Sequence, residues 1–145
     1  MNVSYREMQV ADYDAVMALW NETEHMLIRE ADSRENVTAY LDKNPNMSFV
    51  ATVHSKVVGA VLAGTDGRRG YLQHLAVDEG YRGQRIGKTL VEKVTDAFAH
   101  IGISKTHLFV NTENEQAQMF YKSMGWEVRQ EVKMYSFNSS ANLDI

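Results

Sequence analysis

The sequence predicts a single-domain α/β fold, with a mixed, mostly antiparallel sheet of about six or seven strands flanked by about four helices. Three observations lead there. Segments with period-two alternation and segments with helical spacing follow one another along the chain. In the middle, three consecutive strand-like segments are separated only by tight turns, the pattern of an antiparallel meander. And 145 residues, 44% apolar and 23% charged, suit one domain with one real core.

The elements follow in order. "NVSYREMQ" alternates, which predicts a first strand from Asn2 to about Met8. In "ADYDAVMALWNETEHM", Asp12 is placed to cap a helix whose inner face is Val16, Leu19 and Trp20. "DSRENVTAYLDKNP" predicts a second helix, capped by Asp32 or Ser33, with Val37, Tyr40 and Leu41 inward. It must stop before Pro45. The period then changes. Ser48–His54 and Lys56–Gly64 read as strands, with Ser55 and Lys56 allowing only a tight hairpin. "TDGRRG" is the next turn, and Tyr71–Val77 the next strand. A long helix follows from Ile86 to about Ile101. Its stripe is Ile86, Leu90, Val91, Val94, Ala97, Phe98 and Ile101, and Gly102 ends it. Lys105–Val110 predicts a strand, Asn114–Met124 a short helix closed by Gly125, and Trp126–Phe137 one or two final strands. The domain thus occupies residues 1–137, and residues 138–145 form a polar, frayed tail.

Composition narrows the function. The net charge is -4 and there is no basic tail, which argues against a nucleic-acid binder. No cysteine is present, so thiolate nucleophiles and thiolate metal sites are excluded. The five histidines lack metal-ligand spacing, and no metal is expected. No apolar run approaches the ~18 residues that span a bilayer, and no signal peptide is read, so a cytoplasmic protein without a membrane partner is expected.

Against that acidic background, "AVDEGYRGQRIGKTLVEKV" gathers Arg82, Arg85 and Lys88 beside Gly83 and Gly87, where a strand turns into a helix. A helix N-terminus offers unpaired N–H groups and the positive end of a dipole, which together suit phosphate. Glycines let a backbone approach an anion closely. Taken alone, the cluster reads equally well as a solvated helix cap. It is neither a Walker loop nor G-x-G-x-x-G. The second signal is "NEQAQMFYKSMGW". Asn114 is a natural N-cap, and Tyr121 lies on the same helical face. A tyrosine there can donate a proton to a leaving group. The competing reading makes Phe120 and Tyr121 core aromatics.

Together these segments resemble the GNAT superfamily of N-acetyltransferases. The family's Q/R-x-x-G-x-G/A motif after an L-A-V strand end stands here as "LAVDEGYRGQRIGKTL". Its N-x-x-A-x-x-x-Y-x-x-x-G-F motif stands as "NEQAQMFYKSMGW". The element order is similar over about residues 2–137. One departure is Arg85, which occupies the position of the family's first glycine. The resemblance implies acetyl-CoA as co-substrate and a primary amine on a small molecule or peptide as acceptor. The backbones of Leu75, Ala76 and Val77 would pair with the pantetheine arm. Those of Arg82, Gly83, Gln84, Arg85, Ile86, Gly87 and Lys88 would hold the pyrophosphate, and Asn114 would touch the cofactor. Tyr121 would act as general acid toward the departing thiolate, and a homodimer is compatible. The alternative is a non-catalytic acyl-CoA-binding module with the same fold.

The general base is open. The family's usual positions fall on Tyr71, Gln73 and Phe109, none of which is a base. Regular alternation turns His74 to the face opposite Tyr71 and Gln73, which predicts a buried, hydrogen-bonded role. Glu24, His25 or a water chain are the other candidates. Glu22, Glu24, Glu30 and Asp32 give the acceptor side an acidic cast that favours a cationic amine. Arg68 and Arg69 are either a carboxylate clamp at the acceptor mouth or a solvated turn.

Overall fold

The computed structural model describes residues 2–145. One five-stranded sheet has the order β1-β2-β3-β4-β5. The strands are β1 (Ser4–Glu7), β2 (Phe49–Val53), β3 (Lys56–Thr65), β4 (Gly70–Val77) and β5 (Thr106–Leu108). Neighbours from β1 to β4 pair antiparallel, and β4 pairs β5 in parallel. The helices are α1 (Tyr13–Asn21), α2 (Arg34–Lys43), α3 (Ile86–His100) and α4 (Glu115–Ser123). Among the described residues no helix is long and apolar enough to cross a membrane.

Each face of the sheet carries its own core. On one side Val16, Leu19 and Trp20 of α1 and Val37 of α2 pack on Val50, Ala60, Leu62 and Ala76. On the other, Ile86, Leu90, Val91, Val94 and Phe98 of α3 pack on Ala51, Val58, Val61 and Leu72. Phe120 and Tyr121 of α4, with Met124 just beyond it, pack against that second core. Both helical stripes lie where the 3.6-residue period puts them. Ile101 is the exception. It falls beyond the helix and is half exposed, and Ile103 is buried in the α3 core.

Of the two candidate caps, Ser33 is the one that caps α2, by accepting from the Asn36 N–H. Two local expectations need correction. Asp12 precedes α1 but does not cap it. Its carboxylate accepts the Gln9 N–H and a two-pronged bond from Arg6, each at 2.8 Å, and so ties β1 to the helix. The β2–β3 hairpin turns on His54 and Ser55, with φ of 48° and 66°, and Lys56 already pairs with Val53. Positive φ at both central residues is the type I′ geometry that matches strand twist.

The larger correction concerns strand number. Among the described residues the sheet has five strands rather than six or seven, and none lies in Trp126–Phe137. That segment alternates, but β5 pairs only β4, over Thr106–Leu108. Val128, Val132, Met134, Tyr135 and Phe137 stay exposed. Period-two patterning supplies a face. A strand also needs a partner's ladder of N–H and C=O groups.

Candidate active site

The start of α3 is chemically open. Arg85 is the N-cap residue, and its side chain makes no cap hydrogen bond. The first bonds into the helix come from Thr89, whose N–H and hydroxyl both donate to the Arg85 carbonyl. From Gly83 through Lys88, no backbone N–H has an acceptor among the described residues. Gly83 and Arg85 have φ of 81° and 65°, so the chain passes twice through the left-handed region just before the helix. A Cβ on Gly83 would meet nothing within 4 Å. Arg82, Arg85 and Lys88 are exposed around the turn. A diphosphate needs N–H donors and positive charge, and unpaired amides and three cationic side chains stand together in this turn.

Beside it, β4 has a free edge. β4 pairs β3 as far as Val77 but pairs β5 only over Gly70–Leu72. The two strands then part, which leaves Leu75, Ala76 and Val77 without a strand on the β5 side. Within β4 the register against β3 slips between Ala60 and Leu62, so His74 and Leu75 together oppose Val61. This is a β-bulge, and His74 sits in it with φ of 49°. Histidine is one of the few non-glycine residues enriched in that conformation.

The bulge overturns one expectation from alternation. His74 turns to the α1–α2 side, the side of Gln73, instead of the opposite face. Its Nε2 lies 2.9 Å from Asp32 Oδ1, and its ring packs 4.8 Å from that of Trp20. The Trp20 indole N–H donates to the His74 carbonyl at 2.9 Å and holds the bulge in place. A cavity of about 310 Å³ adjoins, lined by Asp32, Asn36, Tyr40 and Gln73 with Val37 and Leu62. Asp32 was legible only as an acidic residue near a helix start. Its partner is 42 positions away, and no local pattern marks the pair.

The helix α4 closes the other side. Asn114 caps it by accepting the Ala117 N–H at 3.1 Å. Phe120 reaches the start of α3: a Cβ on Gly87 would lie 3.4 Å from Phe120 Cζ and 3.7 Å from Val77 Cγ2. The end of β4, the start of α3 and the middle of α4 therefore meet at Gly87. Tyr121, next to Phe120, packs edge-on against Trp126 at 5.6 Å. Its hydroxyl has no hydrogen-bond partner among the described residues and is not sealed from solvent. Burial of the ring pushes the phenol well above its ordinary pKa.

The family model for the Acetyltransferase (GNAT) family matches residues 13–126, which include all of these elements except β1. The chain belongs to the GNAT acetyltransferase family. A curated acetyltransferase of Pectobacterium atrosepticum is 29% identical over 116 residues, 80% of this chain and 82% of that one. The fold matches that of the PaiA N-acetyltransferase of Thermoplasma acidophilum, solved in complex with coenzyme A. The TM-score is 0.80 at 20% identity, over 89% of this chain and 92% of that one. It also matches an aminoglycoside acetyltransferase from an uncultured soil metagenomic sample, solved in complex with sisomicin. There the TM-score is 0.75 at 19% identity, over 95% and 97% of the two chains.

In this GNAT chain the departure at Arg85 acquires a physical meaning. The position where the family motif has glycine is the one held at φ of 65°. A residue with a Cβ costs about 1–2 kcal/mol there. Arg85→Gly is therefore expected to stabilise the free protein by about 1 kcal/mol and to raise its melting temperature by about 2–4 °C. Thermal unfolding monitored by circular dichroism checks this. A lower melting temperature would show that the Arg85 side chain contributes more than its backbone strain removes.

The other residues singled out in the sequence lie apart. Glu24 and His25 are exposed in the loop after α1, with no hydrogen-bond partner among the described residues. Arg68 and Arg69 are exposed in the β3–β4 turn, where both backbone N–H groups donate to Asp66 Oδ1 at 2.8 Å. Tyr71 packs on His107 of β5 at 5.9 Å, and Phe109 is exposed. Among the described residues no group of three or more His, Asp or Glu is placed to hold a metal ion.

Proposed function

We propose that this protein transfers an acetyl group from acetyl-CoA to a primary amine within a ternary complex. The observation that carries the reading is the row of unpartnered amides from Gly83 to Lys88, set beside the edge of Leu75–Val77, which β5 leaves uncovered and where Arg82 Nε donates to the Val77 carbonyl at 3.3 Å. The amides, with Arg82, Arg85 and Lys88 around them, would hold the diphosphate. The free edge would hold the pantetheine amides as a strand would. Asn114 would contact the cofactor through its side-chain N–H₂, since its oxygen is used in the cap. When bound, acetyl-CoA supplies an activated acyl carbon, so no enzyme nucleophile is needed. That suits a chain without cysteine.

The protein's part is then positioning and charge stabilisation. A bulge leaves one ladder amide unpaired, and the Leu75 N–H at this one would stabilise the carbonyl oxygen as charge develops on it. Tyr121 would serve the departing sulfur. The acceptor belongs on the α1–α2 side, in the cavity bounded by Asp32 and Gln73. The Asp32 carboxylate in the cavity wall favours a cationic amine.

Isothermal titration with coenzyme A tests the central point. Saturable binding is expected, with 4′-phosphopantetheine binding at least about tenfold more weakly, because it lacks the diphosphate. Absence of heat with coenzyme A, or equal affinity for both ligands, would overturn the assignment of the α3 turn. Free-thiol release in the presence of amines then reports the transfer itself.

A further inference from the structure

We infer that Asp32 and His74 form a proton-accepting pair, in which His74 takes the proton from the acceptor's ammonium and Asp32 orients the imidazole. The inference rests on the acetyl-transfer reading above and extends it to a step that reading leaves without a residue.

The geometry has four parts. His74 Nε2 faces Asp32 Oδ1 at 2.9 Å. That carboxylate is buried and fixed on its other oxygen by the Arg29 N–H at 3.2 Å, while the Tyr13 hydroxyl donates to the Asp32 carbonyl at 2.6 Å. The remaining ring nitrogen, Nδ1, has no partner among the described residues and is not sealed from solvent. Finally, His74 immediately precedes Leu75, the proposed oxyanion donor, and Asp32 forms part of the cavity wall.

A carboxylate bound to one imidazole nitrogen selects the tautomer whose other nitrogen carries the lone pair. Here the chain adopts a bulge with positive φ at His74, braced by Trp20, and the result is an imidazole turned into the acceptor side with one nitrogen free. Glu24 and His25 have no comparable support.

An alkylamine is almost wholly protonated at neutral pH and has no lone pair to offer. His74 Nδ1 accepts one proton from the ammonium, and the imidazolium is paired with Asp32. The nitrogen lone pair then forms the C–N bond to the acyl carbon, and the C–S bond breaks with its electrons on sulfur. The sulfur takes a proton from Tyr121, which the nitrogen's second proton replaces. The products are the amide, free coenzyme A and one proton, carried by His74 until water removes it.

The test compares two amines that differ in whether they need a base. Propylamine arrives as an ammonium, whereas O-methylhydroxylamine is unprotonated at neutral pH. His74→Asn is the main variant, because asparagine also tolerates positive φ and preserves the bulge. Asp32→Asn keeps the size of the partner and an acceptor oxygen for the Arg29 N–H, but turns an N–H₂ group toward His74 in place of the carboxylate oxygen. With His74→Asn, kcat/KM for propylamine is expected to fall about 100-fold, while that for O-methylhydroxylamine falls less than about threefold. Asp32→Asn is expected to show the same selectivity with a loss of about tenfold. Coenzyme A affinity, measured by titration, serves as the check of folding for both variants and should not change. Equal losses for both amines, or no loss for propylamine, would overturn the pair's role. Wild-type protein that binds coenzyme A but transfers to neither amine would instead overturn the transferase reading, and the pair's role with it.

Discussion

Tyr121→Phe is expected to lower kcat roughly 100-fold while leaving coenzyme A affinity within about twofold. The ring is retained, so its packing against Phe120 and Trp126 survives and only the hydroxyl is lost. The direction of the phenol's shift fits the role proposed for Tyr121. Desolvation penalises the phenolate and pushes the pKa well above the ordinary tyrosine value. Such a phenol keeps its proton throughout the working range. In the proposed reaction it would act as a permanent hydrogen-bond donor to the developing thiolate, giving up its proton only as another arrives. Two observations follow. The pH profile of kcat should show no alkaline fall below about pH 10 that belongs to Tyr121. And the loss in Tyr121→Phe should be constant across that range. Unchanged turnover would remove Tyr121 from the chemistry, and an alkaline limb present in the wild type but absent in the variant would contradict a buried phenol.

Gly70→Ala is expected to destabilise the fold by about 3 kcal/mol and to lower the melting temperature by about 6–12 °C. Gly70 begins β4. Its N–H donates to the Lys105 carbonyl at 2.9 Å, and it pairs with Thr106, so it joins β4 to β5. A Cβ there would lie 2.5 Å from both Cδ2 and Cε2 of Phe98. Phe98 is completely buried in the α3 core and has no free space to swing into. Either the ring leaves its rotamer or β4 moves away from α3, and in the second case the strand that carries the bulge moves with it. Replacing Phe98 by leucine removes the obstacle at its own cost of about 1–2 kcal/mol. The double variant Gly70→Ala, Phe98→Leu should therefore lose clearly less than the two single losses combined. Strict additivity in denaturant unfolding would show that the clash is not with Phe98.

These predictions draw on different levels of the molecule. The α3 stripe, the meander and the Asn114 cap follow from local spacing, and they stand where that spacing puts them. The two motifs were legible because both halves depend on short-range requirements: amides at a helix start, and a tyrosine on the same face as its cap. Gly70 was legible only as the last residue of a turn, whereas its need for a missing Cβ comes from Phe98, 28 residues later in the chain. The strands expected between Trp126 and Phe137 failed for a related reason. Alternation marks which residues share a face, but it cannot name the strand that completes the ladder. His74 was assigned to the wrong face because a single inserted residue reverses every later side chain in a strand, and nothing local announces where the insertion falls.

By itself the amino-acid order determined which segments are helices, where the long helix begins, and that an acidic protein places its cations at that beginning. These follow from interactions within a few residues, where spacing is the same as contact. Only the tertiary structure decided that β4 parts from β5 to free an edge, that Arg85 takes the left-handed conformation, and that Asp32 meets His74. Each of these depends on the relative placement of elements far apart in the chain. That placement is set by packing on both faces of the sheet, which no short segment encodes.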